Sequence, residues 1–216
     1  MAEKKGKRQK PKLSAEHERM NIEDIWGKDR FVEKVRFEGG TVYGGEEERF
    51  VFDDCLFKDV SFSSAEMKGA EFVDVVFERC DFSNAVFENA VFRRCEIIHS
   101  KLTGADFSSG KLAHVLFTEC EGRYMNFNFS ELKEVDYTDC NLTDSDFYEC
   151  NFAQVRFEGC KLENSNFSET DLEGVDLSGN TYDRIEVSLP KIAGCIVSKE
   201  QAIGFAQVLG LMVKED

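Results

Sequence analysis

The chain has 216 residues with 42 acidic against 27 basic side chains, a formal charge of −15. That length fits one domain, or one domain with a small appendage. No stretch approaches the roughly 18 apolar residues that cross a bilayer. The N-terminal residues MAEKKGKRQKPKLSAEHERM carry no apolar run, so they do not read as a secretory signal.

The charge is unevenly placed. Residues 1–12 hold six Lys/Arg and one Glu, which leaves −20 on the remainder. Residues 1–30 therefore read as a basic, largely disordered tail and lead-in. Within the lead-in, Ile22, Ile25, Trp26 and Phe31 form a sticky run. It is expected to lie over outward apolar residues of the early repeat: Val51, Leu56, Val73, Val76, Val86 and Val91.

From residue 50 to 187 the chain counts in fives. Positions ending in 2 and 7 are apolar almost without break, from Phe52, Phe57 and Phe62 to Leu177, Tyr182 and Val187, and only Gly122 interrupts the row. Met125 is placed to fill the void at Gly122. Two residues before each centre stand small or modest side chains such as Cys55, Ala65, Val75 and Ser100. All 40 charges of that span avoid both positions. A fixed period held this long signals a solenoid rather than an amphipathic helix or a hairpin meander. A wall that turns every five residues points two side chains inward and three outward, and four walls close a square coil of about 20 residues with rungs about 4.8 Å apart. An incomplete coil, Val35-Arg36-Phe37 and Gly40-Thr41-Val42, precedes the GGEEE at 44–48, which sets the repeat domain at 31–189.

Seven of the eight cysteines sit two before a centre, and Cys80, Cys120, Cys140 and Cys160 share one wall. A disulfide ladder would need side chains aimed at one another, and a zinc site would need convergent ligands. They read instead as reduced packing residues. Residues 190–216 form a C-terminal helical cap, with a capping box at Ser198 and Gln201 and Gly210 as the stop. Ile203, Phe205, Ala206, Val208, Leu209, Leu211 and Met212 supply apolar surface for a cap that shields the last coil or for one that also serves as a dimerisation element by pairing with a second copy.

The units Ala70-Glu71-Phe72, Cys80-Asp81-Phe82, Ala105-Asp106-Phe107, Cys140-Asn141-Leu142, Ser145-Asp146-Phe147 and Val175-Asp176-Leu177 resemble the A-[D/N]-L-x-x motif of pentapeptide repeat proteins. The resemblance implies an all-β solenoid, a right-handed quadrilateral parallel β-helix. Its Qnr-type subgroup adds a tail-to-tail homodimer that binds DNA gyrase or topoisomerase IV, mimics DNA and protects the enzyme from quinolones. This chain departs from many such sequences in having no long loop after residue 50.

No nucleophile, phosphate-loop or metal motif occurs, so no catalytic residue, cofactor or metal is expected. What remains is the acidic surface. Over residues 51–189 the charge is −16, concentrated on two walls. One carries Glu78, Glu96, Glu119, Asp136, Asp139, Glu158 and Asp176; the other carries Asp146, Glu149 and Glu169. Like charges one rung apart destabilise, which suggests a task beyond folding. The expectation is a cytoplasmic, gyrase-binding DNA mimic that itself binds neither nucleic acid nor membrane. An interaction scaffold with an unrelated partner is the alternative.

Overall fold

Corner geometry sets the architecture. Every fifth residue from Asp54 to Gly174 has φ between +51° and +75°. An L-residue in that region costs about 1 kcal/mol or more. Most of these positions accordingly hold Gly, Asp, Asn, Ser or a longer polar side chain, with Tyr124 and Phe129 as aromatic exceptions, and none holds Val, Ile or Thr. The computed structural model describes residues 8–27, 30–44, 49–208 and 210–214, without the side chains of Trp26, Gln207 and Val208.

Four such corners return the chain to its starting wall, and the Cα register steps by twenty. Phe31 pairs with Val51, Val51 with Glu71, Glu71 with Val91, Val91 with Lys111, Lys111 with Glu131 and Glu131 with Asn151, all in parallel. The result is a right-handed quadrilateral β-helix closed by a C-terminal helix. We number its walls by their centres: first (Phe52, Phe72), second (Phe57, Phe77), third (Phe62, Phe82) and fourth (Met67, Phe87). The first and second walls join as strands Val51–Lys58, Glu71–Glu78, Val91–Ile98 and Lys111–Thr118. The third and fourth are chains of turns, in which the carbonyl of most centres accepts the N–H three residues on, as at Phe62 and Ala65 (2.9 Å).

The centres fill the interior. Phe87, Phe107, Phe127, Phe147 and Phe167 form a column with ring centroids 5.0–5.2 Å apart and near-parallel planes. Neighbouring columns meet edge-on, as Phe107 meets Phe117 at 87°. Each ring thus gains both favoured aromatic geometries, and burial contributes roughly 1.5–3 kcal/mol per ring. No coil can bury its own layer, so stability accrues between neighbours. At Gly122 any added side chain would collide with Met125 Sδ, so Met125 does fill that place.

Where the inward residue two before a centre is Cys, Ser or Thr, it has a second duty. Its side chain donates to a main-chain carbonyl one coil away: Cys95 Sγ to Phe72 O (3.3 Å), Cys120 Sγ to Ile97 O (3.3 Å), Ser145 Oγ to Gly122 O (2.9 Å) and Ser165 Oγ to Leu142 O (2.8 Å). Cys, Ser and Thr interchange there because each is a small donor. All eight cysteines are free. Burial pushes the Cys55, Cys80 and Cys95 thiols up to about 12.

Both ends are closed. Ile22 and Ile25 are 1% exposed and join the core, Ile22 lying against Gly40. The lead-in therefore plugs the first coil rather than covering the outward valines, which stay half-buried apart from buried Val73, and Phe31 is exposed. The Trp26 side chain lies outside the described residues. At the other end helix α1 (Lys199–Val208) begins with the expected box: Gln201 N–H donates to Ser198 Oγ (3.2 Å) and Ser198 N–H to Gln201 Oε1 (2.8 Å). Gln201 Nε2 also donates to the carbonyls of Leu177 and Asn180, which fixes the helix on the last coil. Gly210 (φ +79°) and the Leu211 N–H to Ala206 O bond end it.

Tyr137 stacks between Phe117 (4.9 Å) and Phe157 (5.0 Å), 1% exposed, and its hydroxyl finds no partner among the described residues. Removing an orphaned buried hydroxyl should raise stability, so Tyr137→Phe is expected to gain about 1 kcal/mol. Urea unfolding measures it; a loss of stability would mean that the hydroxyl is satisfied.

Candidate protein interface

The ten carboxylates picked out on the acidic walls separate by side-chain length. Each aspartate serves the local structure. Asp146 and Asp176 sit one before a centre and accept the N–H two residues on, from Tyr148 (3.1 Å) and Ser178 (2.9 Å). This turn capping is the physical reason for D/N in the motif, and it recurs at Asp81, Asp106, Asn126 and Asn166. Asp139 occupies a left-handed corner, which Asp tolerates well. Asp136 receives Arg156 Nε at 2.6 Å.

The glutamates have no such employment. Glu119, Glu149 and Glu169 stand at left-handed corners where a longer acid gains nothing over Asn or Gly. Glu119, Glu149 and Glu158 are exposed. Glu119 has His99 at 3.3 Å, Glu78 pairs with Arg79, and Glu169 accepts Ser188 Oγ at 2.6 Å. Exposed pairs of this kind are worth little. The structure therefore leaves Glu119 and Glu158 on the second wall and Glu149 on the fourth as surface charge that the backbone does not require.

Part of the second wall is covered. Residues 8–17 lie along the corner between the first and second walls, so residues 8–12 are ordered against the body rather than disordered as their composition suggested; residues 1–7 lie outside the described residues. Arg8 Nη2 reaches Glu96 at 3.0 Å and its Nε reaches Asp136 at 3.4 Å. Lys12 N–H donates to Asp74 Oδ1 (2.8 Å), Ser14 N–H and hydroxyl to Asp54, and His17 Nε2 lies 2.9 Å from Asp54 Oδ1. Glu96 and Asp136 are thus bound in cis and offer little to a partner. No sequence periodicity signals this strap, because its main anchors are backbone amides.

Burial alone would push Asp54 and Asp74 up. The bonds from Ser14 and His17 to Asp54, and from Arg94 and Lys12 to Asp74, outweigh it and hold both below the usual carboxylate range.

Aromatic surface accompanies the acid. Tyr124 and Phe129 are 55% and 56% exposed, and both occupy left-handed corners. Arg123 lies over the Tyr124 ring at 5.2 Å, and Phe129 meets Tyr148 edge-on at 5.7 Å. On α1 and the tail that follows it, the residues expected to dimerise divide. Phe205 packs partly against the core as a cap residue, and Ala206 is half-buried, whereas Ile203, Leu211 and Met212 are exposed. Leu209 and the Val208 side chain lie outside the described residues. Among the described residues, no helix is long and apolar enough to cross a membrane.

The pentapeptide repeat region family profile matches residues 70–137 and 130–199. The chain belongs to the pentapeptide repeat family. Similar solved structures include HetL, a pentapeptide repeat protein involved in heterocyst differentiation regulation in Nostoc sp. strain PCC 7120, at 13% identity over 83% of this chain and 93% of that one, TM-score 0.44. Full-length QnrB1, a plasmid-mediated fluoroquinolone resistance protein, is 16% identical over 84% of this chain and 99% of its own, TM-score 0.38. A pentapeptide repeat protein of the Arabidopsis thaliana thylakoid lumen is 21% identical over 52% and 65%, TM-score 0.23. No curated protein matches the sequence.

A carboxylate depressed by folding stabilises above its unfolded pKa of about 3.9 and ceases to as the pH falls through its folded value. The Lys12 and Ser14 amides should therefore keep their bound NMR shifts from pH 8 to pH 5 and move to coil values below about pH 4. Release between pH 7 and 6 would contradict the assignment to Asp54 and Asp74.

Proposed function

We propose that the protein is a non-catalytic binding rod whose glutamate-bearing flanks enter the DNA-accepting groove of a partner, DNA gyrase or topoisomerase IV, and so protect that enzyme from quinolones. The observation that carries this reading is the set Glu119, Glu149 and Glu158, exposed acids that neither cap a turn nor suit a corner. Rungs spaced about 4.8 Å apart make a stiff column of charge, comparable in scale with a duplex carrying one charge per about 1.7 Å. A groove built for phosphates would attract such a column at long range. Exposed Ile203, Leu211 and Met212 support a homodimer through the C-terminal end, and we place the complex in the cytoplasm, where these enzymes act.

A second reading, a scaffold for an unrelated protein, is favoured by Tyr124 and Phe129, since exposed aromatics are common anchors of protein interfaces.

Titrating the protein into a gyrase supercoiling assay, with and without ciprofloxacin, separates the two. The account predicts inhibition or drug rescue at micromolar protein. Glu119→Lys/Glu149→Lys/Glu158→Lys should weaken the effect at least about tenfold, by losing charge complementarity, with an unchanged melting temperature. No effect of the wild type on gyrase or topoisomerase IV would remove the proposal. A triple variant of unchanged potency would remove the acidic flanks as its basis.

A further inference from the structure

The strap is bound by a surface that reads peptide backbone. Asp74 and Asp54 accept main-chain N–H groups of Lys12 and Ser14, and any extended chain presents such donors. Residues 8–17 form no rung of the β-helix; parallel pairing begins only at Glu18, opposite Val35. Their burial has a period of three: Arg8, Pro11, Ser14 and His17 face the body, and the two residues between each pair are exposed. A polyproline II chain has three residues per turn and rises about 3.1 Å per residue. From Arg8 to Ser14 its inward residues therefore recur every ~9.3 Å, close to two rungs of about 4.8 Å, while His17 returns to the same Asp54 as Ser14. Pro11, which lacks an N–H, faces inward without orphaning a donor. At the head of the strap the Arg8 side chain is nine-tenths buried, held by Glu96 and Asp136, and its Nη1 has no partner among the described residues.

We propose that this corner groove is a docking site for extended cationic segments of the pattern Arg-x-x-Pro-x-x-Ser, occupied in cis by residues 8–17 and open to exchange with such a segment of another protein. The occupant follows from the groove. Asp54 and Asp74 read the main chain, Glu96 and Asp136 read the arginine, and the rung spacing reads the period of three. The groove borders the second wall, which also carries Glu119 and Glu158, but it uses other residues, and its test involves no topoisomerase.

The experiment uses full-length protein carrying Arg8→Glu, Ser14→Ala and His17→Ala, which release the strap, titrated against a fluorescent peptide of residues 1–20. Fluorescence anisotropy should show saturable binding at least tenfold tighter than to the wild type, weakening as salt rises. Adding Asp54→Asn and Asp74→Asn should abolish it, and a peptide with Arg8→Glu should bind at least tenfold more weakly. If the triple variant fails to melt cooperatively, Arg8→Glu alone takes its place. A folded variant that does not bind the peptide would overturn the proposal and leave the strap as a fixed clamp. Equal binding of a scrambled peptide would overturn it as well, by showing attraction of charge alone.

Discussion

The molecule depends on one backbone constraint, a left-handed residue at every corner. Those residues divide the chain into fives, and four fives return it to the same wall. Only then do the centres fall into vertical columns and the outward residues into vertical rows. The cost at each corner is offset between coils, where aromatic rings stack about 5 Å apart and buried thiols and hydroxyls satisfy carbonyls of the coil before. The interior is a packed column, so binding chemistry is left to the exterior and to the two ends.

That division explains why the outside is free to vary. Each five exposes three positions, and the fold claims some of them. The position before a centre wants Asp or Asn to cap the turn, and the corner wants Gly, Asn or Asp. A side chain that meets neither demand stands out: glutamate at 119 and 149, tyrosine at 124, phenylalanine at 129. The surface is thus partly a consequence of the fold and partly superimposed on it, and local geometry tells the two apart better than net charge does.

The grid, its phase, the cysteine positions and the capping box at Ser198 were legible in the sequence, because each is a periodic or short-range pattern. The strap was not. Its anchors at Lys12 and Ser14 are backbone amides meeting Asp74 and Asp54 respectively, pairs 62 and 40 residues apart that no pattern links. The stickiness of Ile22 and Ile25 is plain in the sequence, but hydrophobicity does not say which surface it will cover, and the pair plugs the end of the rod rather than its side. The acidic walls were visible as totals. The distinction between Asp146 or Asp176, which cap turns, and Glu149 or Glu158, which do not, needed the hydrogen bonds themselves.

The central claim, that twenty residues make one rung, is tested most directly by distances between spin labels on the exposed corners of the second wall, Asp59, Glu119 and Asp139, in a Cys195→Ser background that keeps the buried thiols native. The account predicts backbone separations of about 5 Å for 119–139 and about 19 Å for 59–139, rising by roughly 4.8 Å per twenty residues. Separations that fail to rise by equal steps would contradict the coil.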